Sequence, residues 1–411
     1  MTSAASTWGR AFSALSHRNF RLFFFGQLVS LVGSWMQSTA LQWLVYNLTG
    51  SQTSLGLVTF ANFLPVLLFS LFMGVLIDRF PRRRLLLFTQ TWFMVLAVLL
   101  AALTWAGVIR FWHILVLSLL LGFGNALDMP GRQAFVVEMV DDDKDDLLNA
   151  ISLNSTLFNL ARIIGPGIGG VVVAALGEAP AFAINALTFL AIIVSLLLMH
   201  LPPPALEARA EAPLRNLKQG LAYLLRQHTI LGLVTMVALF SMAGFGALTL
   251  LPVFAKDILH TGAQGFGNLM AAQGVGALAG ALSLIFLGER WHKGRALLAN
   301  RLFIGPALMS LALSRSPSVS MALMVVLGYT FTTQLVLTNT LIQTLVPDAL
   351  RGRVMSAYTW ALGGFYPVGS LAIGALGDHI GAPATAFLAG AVCAGLIALN
   401  LAAFPKMQRL R

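Results

Sequence analysis

What most constrains this chain is the recurrence, from end to end, of apolar runs near the roughly 20 residues that a helix needs to cross the hydrocarbon core of a bilayer. Twelve such runs are counted, six between Phe20 and Leu201 and six between Ile230 and Ala403. Lipid offers no water to satisfy a backbone N–H or C=O, so runs of this kind must close their hydrogen bonds within themselves as helices. The expected fold class is an all-α membrane protein of 12 transmembrane helices. Composition agrees: 58% of the 411 residues are hydrophobic and 10% charged, a balance that excludes a water-soluble domain.

The net charge of +11 would suggest a nucleic-acid partner in a soluble protein, but its placement says otherwise. With the N-terminus set in the cytoplasm, 22 of the 26 Lys and Arg fall in the N-terminal segment, the even-numbered connections and the C-terminal tail. Three fall outside, Arg110, Lys256 and Arg315, and Arg162 falls within a span. That is the positive-inside pattern, so both termini are expected in the cytoplasm and no nucleic acid is implied. The segment before the first span lacks the short apolar core and small-residue cleavage site of a signal peptide, so the first helix is expected to direct insertion. Cys393, the single cysteine, lies in the last span and can form no internal disulfide.

Pro202, Pro203 and Pro204 end the sixth span and open the longest hydrophilic stretch in the chain. This sets expected boundaries at 1–201, a six-helix bundle, 202–228, a linker, and 229–411, a second six-helix bundle. Leu214, Leu217, Leu221, Leu224 and Leu225 recur at helical spacing among Arg215, Lys218 and Arg226, which suits either an amphipathic helix on the cytoplasmic lipid surface or a solvated linker helix. The halves also resemble each other. Thr49-Gly50-Ser51-Gln52 leads into span two as Thr261-Gly262-Ala263-Gln264 leads into span eight, and Gly165 to Gly170 parallels Gly369 to Gly374 at a constant offset of 204. Two parallel halves of six spans describe a large class of secondary transporters that bind solute between the halves at mid-membrane.

Arg162 stands near the middle of span five, roughly 17 to 22 Å from the cytoplasmic edge at about 1.5 Å per residue. A charge at that depth costs roughly 2.5 kcal/mol or more and is a functional candidate by default. Asp128 lies about 24 Å down span four, in the cytoplasmic third of a core of about 30 Å. The depths differ by about 8 to 10 Å, which the long Arg162 side chain could largely cover in one conformation. Two readings stay open: Asp128 carries a coupling proton and changes its hold on Arg162 or Arg132, or Asp128 and Arg132 form a static i, i+4 pair and Arg162 braces helices. Glu138, at a span end, is expected to pair with the Arg82 to Arg84 cluster.

In span one, Gln27, Ser30, Ser34, Gln37, Ser38 and Gln42 make a polar stripe that in lipid needs a cavity or a protein partner. With Trp35, Asn62 and Asn125, and with Gln334, Asn339 and Tyr358 of the second half, it suits either an amphipathic, partly aromatic solute or helix packing. The run Gly165, Pro166, Gly169 and Gly170 supplies small residues for close helix contact and a proline for a bend, and Ala272, Gly276 and Gly280 of span eight are its expected counterpart.

No Gly-Lys-Ser/Thr phosphate loop and no nucleophile elbow are present, and the seven histidines are scattered singly without metal-ligand spacing. An enzyme, a cofactor and a metal are therefore not expected.

The connection after span two, Gly74 to Arg84, resembles the signature loop of the major facilitator superfamily at Gly74, Asp78, Arg79, Arg82 and Arg83, with Pro81 where the superfamily usually has glycine. Gly165, Pro166, Gly169 and Gly170 resemble its antiporter signature, and Asp128 to Phe135 with Asn159 to Pro166 is similar to the branch of enterobactin exporters and macrolide or drug:proton antiporters. Gly288 to Arg295 is a degenerate copy of the signature loop. The resemblance implies two pseudo-symmetric bundles, a cytoplasmic latch at Gly74, Asp78, Arg79, Arg82, Arg83, Arg132 and Glu138, and an antiporter hinge at the glycine motif. It implies proton-coupled efflux of a small amphipathic compound, siderophore-like or a drug, by a monomer in a bacterial inner membrane. Metabolite uptake or facilitation by the same fold, and a membrane sensor or assembly partner, are the alternatives.

Overall fold

The turn glycines show how the chain reverses at one end of the helices. Gly50, with φ of 61°, caps the first long helix by donating its N–H to Tyr46 O, and its repeat counterpart Gly262 has φ of 65°. A left-handed residue at a helix C-terminus suits glycine, so Gly50 and Ser51 suffice to send the chain back into the next helix, while the second turn uses His260, with φ of 52°, as well as Gly262. The computed structural model describes residues 13–77, 80–140, 144–200, 213–287 and 292–403.

Thirteen helices are numbered in order: α1 Arg18–Thr49, α2 Gln52–Ile77, α3 Arg82–Trp105, α4 Phe111–Glu138, α5 Lys144–Leu176, α6 Glu178–Leu198, α7 Pro213–Arg226, α8 His228–Phe240, α9 Gly262–Leu287, α10 Lys293–Leu313, α11 Pro317–Leu345, α12 Asp348–Ile380 and α13 Ala382–Ala403. α8 continues through two π-helical turns, Ser241–Phe245 and Phe254–Ile258, to the end of a 31-residue apolar stretch. Ten stretches of described residues are long and apolar enough to cross a membrane. The other two of the twelve expected spans are α1 and α9, of 32 and 26 residues; the polar stripe of α1 lowers its hydropathy.

Among α1 to α6, α1 packs on α5 and α6, α2 on α4, and α3 on α4 and α6. Among α8 to α13, α9 packs on α11, α10 on α11 and α13, and α12 on α8. The two sets touch chiefly through α2 against α12 and α5 against α9. α7 docks on α12: a Cβ added at Gly220 would lie 2.3 Å from Arg353 O, and Leu224 is buried with Ile230 and Val354. Leu221 and Leu225 remain exposed, so α7 turns one edge to protein and the other outward.

Candidate functional site

The glycine motif works on two faces. A Cβ added at Gly165 or Gly169 would press on Trp35 and Met36 of α1, within the first set of helices, at 2.5 and 2.9 Å. At Gly170 it would meet α9 instead, 2.9 Å from Gly267 Cα and 3.1 Å from Gln264 Cα. The repeat copies this: Gly369 abuts Met242 of its own set, while Gly374 abuts Gln52 O at the start of α2. Each motif thus seats one helix on its own bundle and on the other.

The expected counterpart on α9 needs correction. Gly276 and Gly280 face α11, where added Cβ atoms would lie 1.9 Å from Val325 O and 2.8 Å from Tyr329 O. The surface turned to α5 is Gly267 and Gly274, the latter against Ile163 and the Arg162 carbonyl at 3.1 Å. α9 carries small residues on two faces, and a 3.6-residue period puts Gly276 on a different one from Gly267 and Gly274.

At the end of the molecule carrying Gly50 and Gly262, polar contacts join the two sets. Asp378 of α12 accepts from Ser51 Oγ at 2.7 Å, from Gln52 N at 2.6 Å and from Thr53 N at 3.0 Å. A carboxylate there satisfies the unpaired first-turn amides of α2 and complements its positive dipole end. Tyr46 donates to Asp257, Lys256 Nζ donates to Asn47 Oδ1 at 2.7 Å, and the same ammonium stands 5.4 Å from the Tyr46 ring centroid. This latch is a feature that sequence reasoning missed, because Asp257 and Asp378 look like ordinary span-end carboxylates.

Toward the end that carries Ser13 and Ala403, α5, α11 and α12 expose polar residues. Ser152, Ser155 and Thr156 of α5 are exposed and donate only to carbonyls one turn back in their own helix. Thr340 and Gln343 of α11 and Thr359 and Trp360 of α12 are less buried than the apolar residues beside them, and an added Cβ at Gly363 meets nothing within 4 Å. Exposed polar residues of this kind on apolar helices call for water or a partner at this end.

Arg162 lies farther along α5 than that exposed polar face, about 27 Å from the start of the helix and about 21 Å from its end. It donates to Asn159 Oδ1 at 3.2 Å, its buried Nε has no hydrogen-bond partner, and among the described residues it makes no ion pair. An aromatic chain joins the two sets. Phe63 of α2 meets Tyr366 of α12 edge to face at 5.0 Å, Tyr366 meets Phe245 at 6.1 Å, and Phe245 meets Phe331 at 5.0 Å. Phe245 belongs to the first π-helical turn, a distortion frequent at functional sites.

The other expected cavity residues divide. Ser38, Gln42, Asn62, Asn125 and Asn339 are half-buried, and Trp35 packs edge to face on Phe158 at 5.8 Å. Four are packed within a bundle. Gln37 accepts from Asn185 Nδ2 at 2.7 Å between α1 and α6, Gln334 is fully buried, Tyr358 is buried in the second set, and Asp128 is 1% exposed. A buried polar group must find partners, and these find them inside their own bundle. Asp128 accepts from Thr89 Oγ1 at 2.9 Å, from Gln90 Nε2 at 2.7 Å and from Arg132, not from Arg162.

Of the expected latch motif, Asp78 and Arg79 lie outside the described residues, as do the surroundings of Gly74. Arg82 pairs with Glu138 at 2.9 Å, and Arg83 donates to the carbonyls of Leu196 and Leu197 at 2.7 and 2.8 Å, tying α3 to α4 and α6. A second intramembrane cation also appears. Arg301 of α10 is 1% exposed, donates to Gln334 Oε1 at 3.2 Å and Asn400 Oδ1 at 3.4 Å, and leaves one buried nitrogen without a partner.

Residues 9–410 match the family described as transmembrane secretion effector, a branch of the major facilitator superfamily. The chain belongs to this family. As a secretion effector it is a multi-pass membrane transporter of small molecules rather than an enzyme. It is 27% identical over 411 residues to the multidrug efflux pump Tap of Mycolicibacterium fortuitum, covering 95% of this chain and 96% of that one. It is 26% identical over 376 residues to the enterobactin exporter EntS of Shigella flexneri, covering 91% and 89%. Among solved structures, the nucleoside transporter NupG superposes with a TM-score of 0.73 at 14% identity, covering 94% of this secretion effector and 98% of that chain. That likeness shows a shared major facilitator fold.

Proposed function

We propose that this secretion effector exports a small amphipathic compound, a siderophore-like metabolite or a drug, across a bacterial inner membrane in exchange for protons, by alternating access. The observation that carries this reading is Arg162, a half-buried cation with no carboxylate partner among the described residues, and we place it at the blind end of an opening between the bundles. Similarity to the pump Tap and the exporter EntS supports the substrate class and direction.

With both termini cytoplasmic, as the charge distribution argues, the arrangement is open inward and latched outside. Solute enters between the polar faces of α5, α11 and α12; Arg162 takes its anionic or polar group and the Phe63–Tyr366–Phe245 chain takes its rings. Residues 1–201 and 229–411 then rock as two bodies, with 202–228 as the tether. They slide on the contacts that Gly170 makes with Gly267 and Gly374 with Gln52. Release outside requires Asp378 to leave the N-terminus of α2.

We assign the coupling proton to Asp128, the carboxylate buried at bilayer depth among the described residues. Protonation would free Arg132, whose long side chain can turn toward the nearby membrane surface. Everted vesicles given an inside-acid gradient and a panel of amphipathic drugs and catecholate siderophores test the reading. Gradient-dependent accumulation, abolished by a protonophore and by Arg162→Gln, is expected. Equilibration indifferent to the gradient would instead favour a facilitator.

A further inference from the structure

A second cavity lies outside the transport path, in a groove of about 720 Å³ between α10 and α11. Its mouth is flanked by Phe303 and Val326, which are 61% and 40% exposed on two apolar spanning helices, so it opens toward hydrocarbon. One end is basic. His292 and Arg295, at the first turn of α10, are exposed there, and among the described residues Arg295 makes no ion pair.

The groove is also polar in its depth. Asn300 and Thr333 line it, 7% and 1% exposed; Asn300 Oδ1 has no hydrogen-bond partner, while Thr333 Oγ1 is turned toward Gly280 of α9. Asn300 stands about 7.5 Å beyond Arg295 along α10. Buried polar atoms left unpaired in an otherwise apolar wall are uncommon and call for a ligand with matching groups.

We propose that this groove binds an anionic glycerophospholipid, with the phosphate on Arg295 and His292, the glycerol and ester region at Asn300, and one acyl chain along Phe303 and Val326. Charge complementarity selects this occupant: the Arg295 guanidinium, with the His292 imidazole beside it, stands at the membrane-interface end of a spanning helix, where a phosphate resides, and the apolar length runs inward from there. Asn300 Oδ1 can accept from a head-group hydroxyl. A water-soluble anion alone would use the basic end and leave the apolar wall unfilled.

The test uses the purified full chain in detergent with added phosphatidylglycerol or phosphatidylcholine of identical chains, read by native mass spectrometry and by melting temperature. A several-fold preference for retained phosphatidylglycerol, with a raised melting temperature, is expected, and inorganic phosphate alone should not reproduce it. His292→Gln with Arg295→Gln should remove the preference while leaving the melting temperature in phosphatidylcholine unchanged. Ala299→Trp, which narrows the groove, should reduce retention of both lipids. A photoactivatable phosphatidylglycerol on the wild-type chain should label α10 and α11. Absence of preference in the wild type, its persistence in the double variant, or labelling confined to other helices would overturn the proposal.

Discussion

Replacing Asp378 by Asn is expected to loosen the closed end of the protein. The carboxylate accepts from Ser51 Oγ at 2.7 Å and from the amides of Gln52 and Thr53 at 2.6 and 3.0 Å, across the boundary between the bundles. A hydrogen bond to a charged group contributes about 1.5–3 kcal/mol and a carboxylate at a helix N-terminus about 0.3–1 kcal/mol. Asp378 is exposed, so screening moves each contribution toward or below its lower end. Asparagine keeps one acceptor oxygen and loses the charge. The net change is about 1–2 kcal/mol against the closed arrangement, or about 5- to 30-fold in the ratio of closed to open. Spin labels on Leu48→Cys and Ile380→Cys, exposed on opposite bundles at this end, read the separation by double electron–electron resonance in a Cys393→Ser background. In Asp378→Asn the longer-distance population should grow by that factor. An unchanged distance distribution would refute the latch.

The glycine surfaces separate gating from folding. Gly267→Ala places a methyl 2.4 Å from Pro166 O, so it should favour separation of α5 and α9 and slow transport with little loss of melting temperature; Gly276→Ala, 1.9 Å from Val325 O within one bundle, should cost about 1–3 kcal/mol of stability in a denaturation curve. Asp128→Asn should leave the protein folded and efflux indifferent to pH gradient; a large drop in melting temperature restored by adding Arg132→Gln would make the pair a brace. Arg301→Leu should destabilise the second bundle by about 1–3 kcal/mol, since the amide oxygens of Gln334 and Asn400 lose their buried donor, and a melting curve measures it.

The fold was legible because hydrocarbon imposes a length and an apolar composition on every spanning helix, and the repeated Thr-Gly turns mark where the chain reverses. Arg162 was legible for the same reason, as a charge amid mostly apolar neighbours. Arg301 was not, because Lys293 and Arg295 precede it and make it look like the end of a basic connection. The counterpart of the glycine motif was misplaced because α9 has two faces of small residues, and only tertiary packing chooses between them. Asp378 was invisible as a latch because its partners lie more than three hundred residues away in sequence, at a helix start with no charge of its own.

The proposed export path requires that Arg162 end a water-filled opening reached from the end that carries Ser13 and Ala403. A single cysteine at Ser155, on the exposed polar face of α5, replaces Cys393 as the reactive thiol in Ser155→Cys with Cys393→Ser. A membrane-impermeant maleimide should label it in everted vesicles and leave it unmodified in right-side-out cells. Labelling from the outer face, or from neither side, would contradict the account.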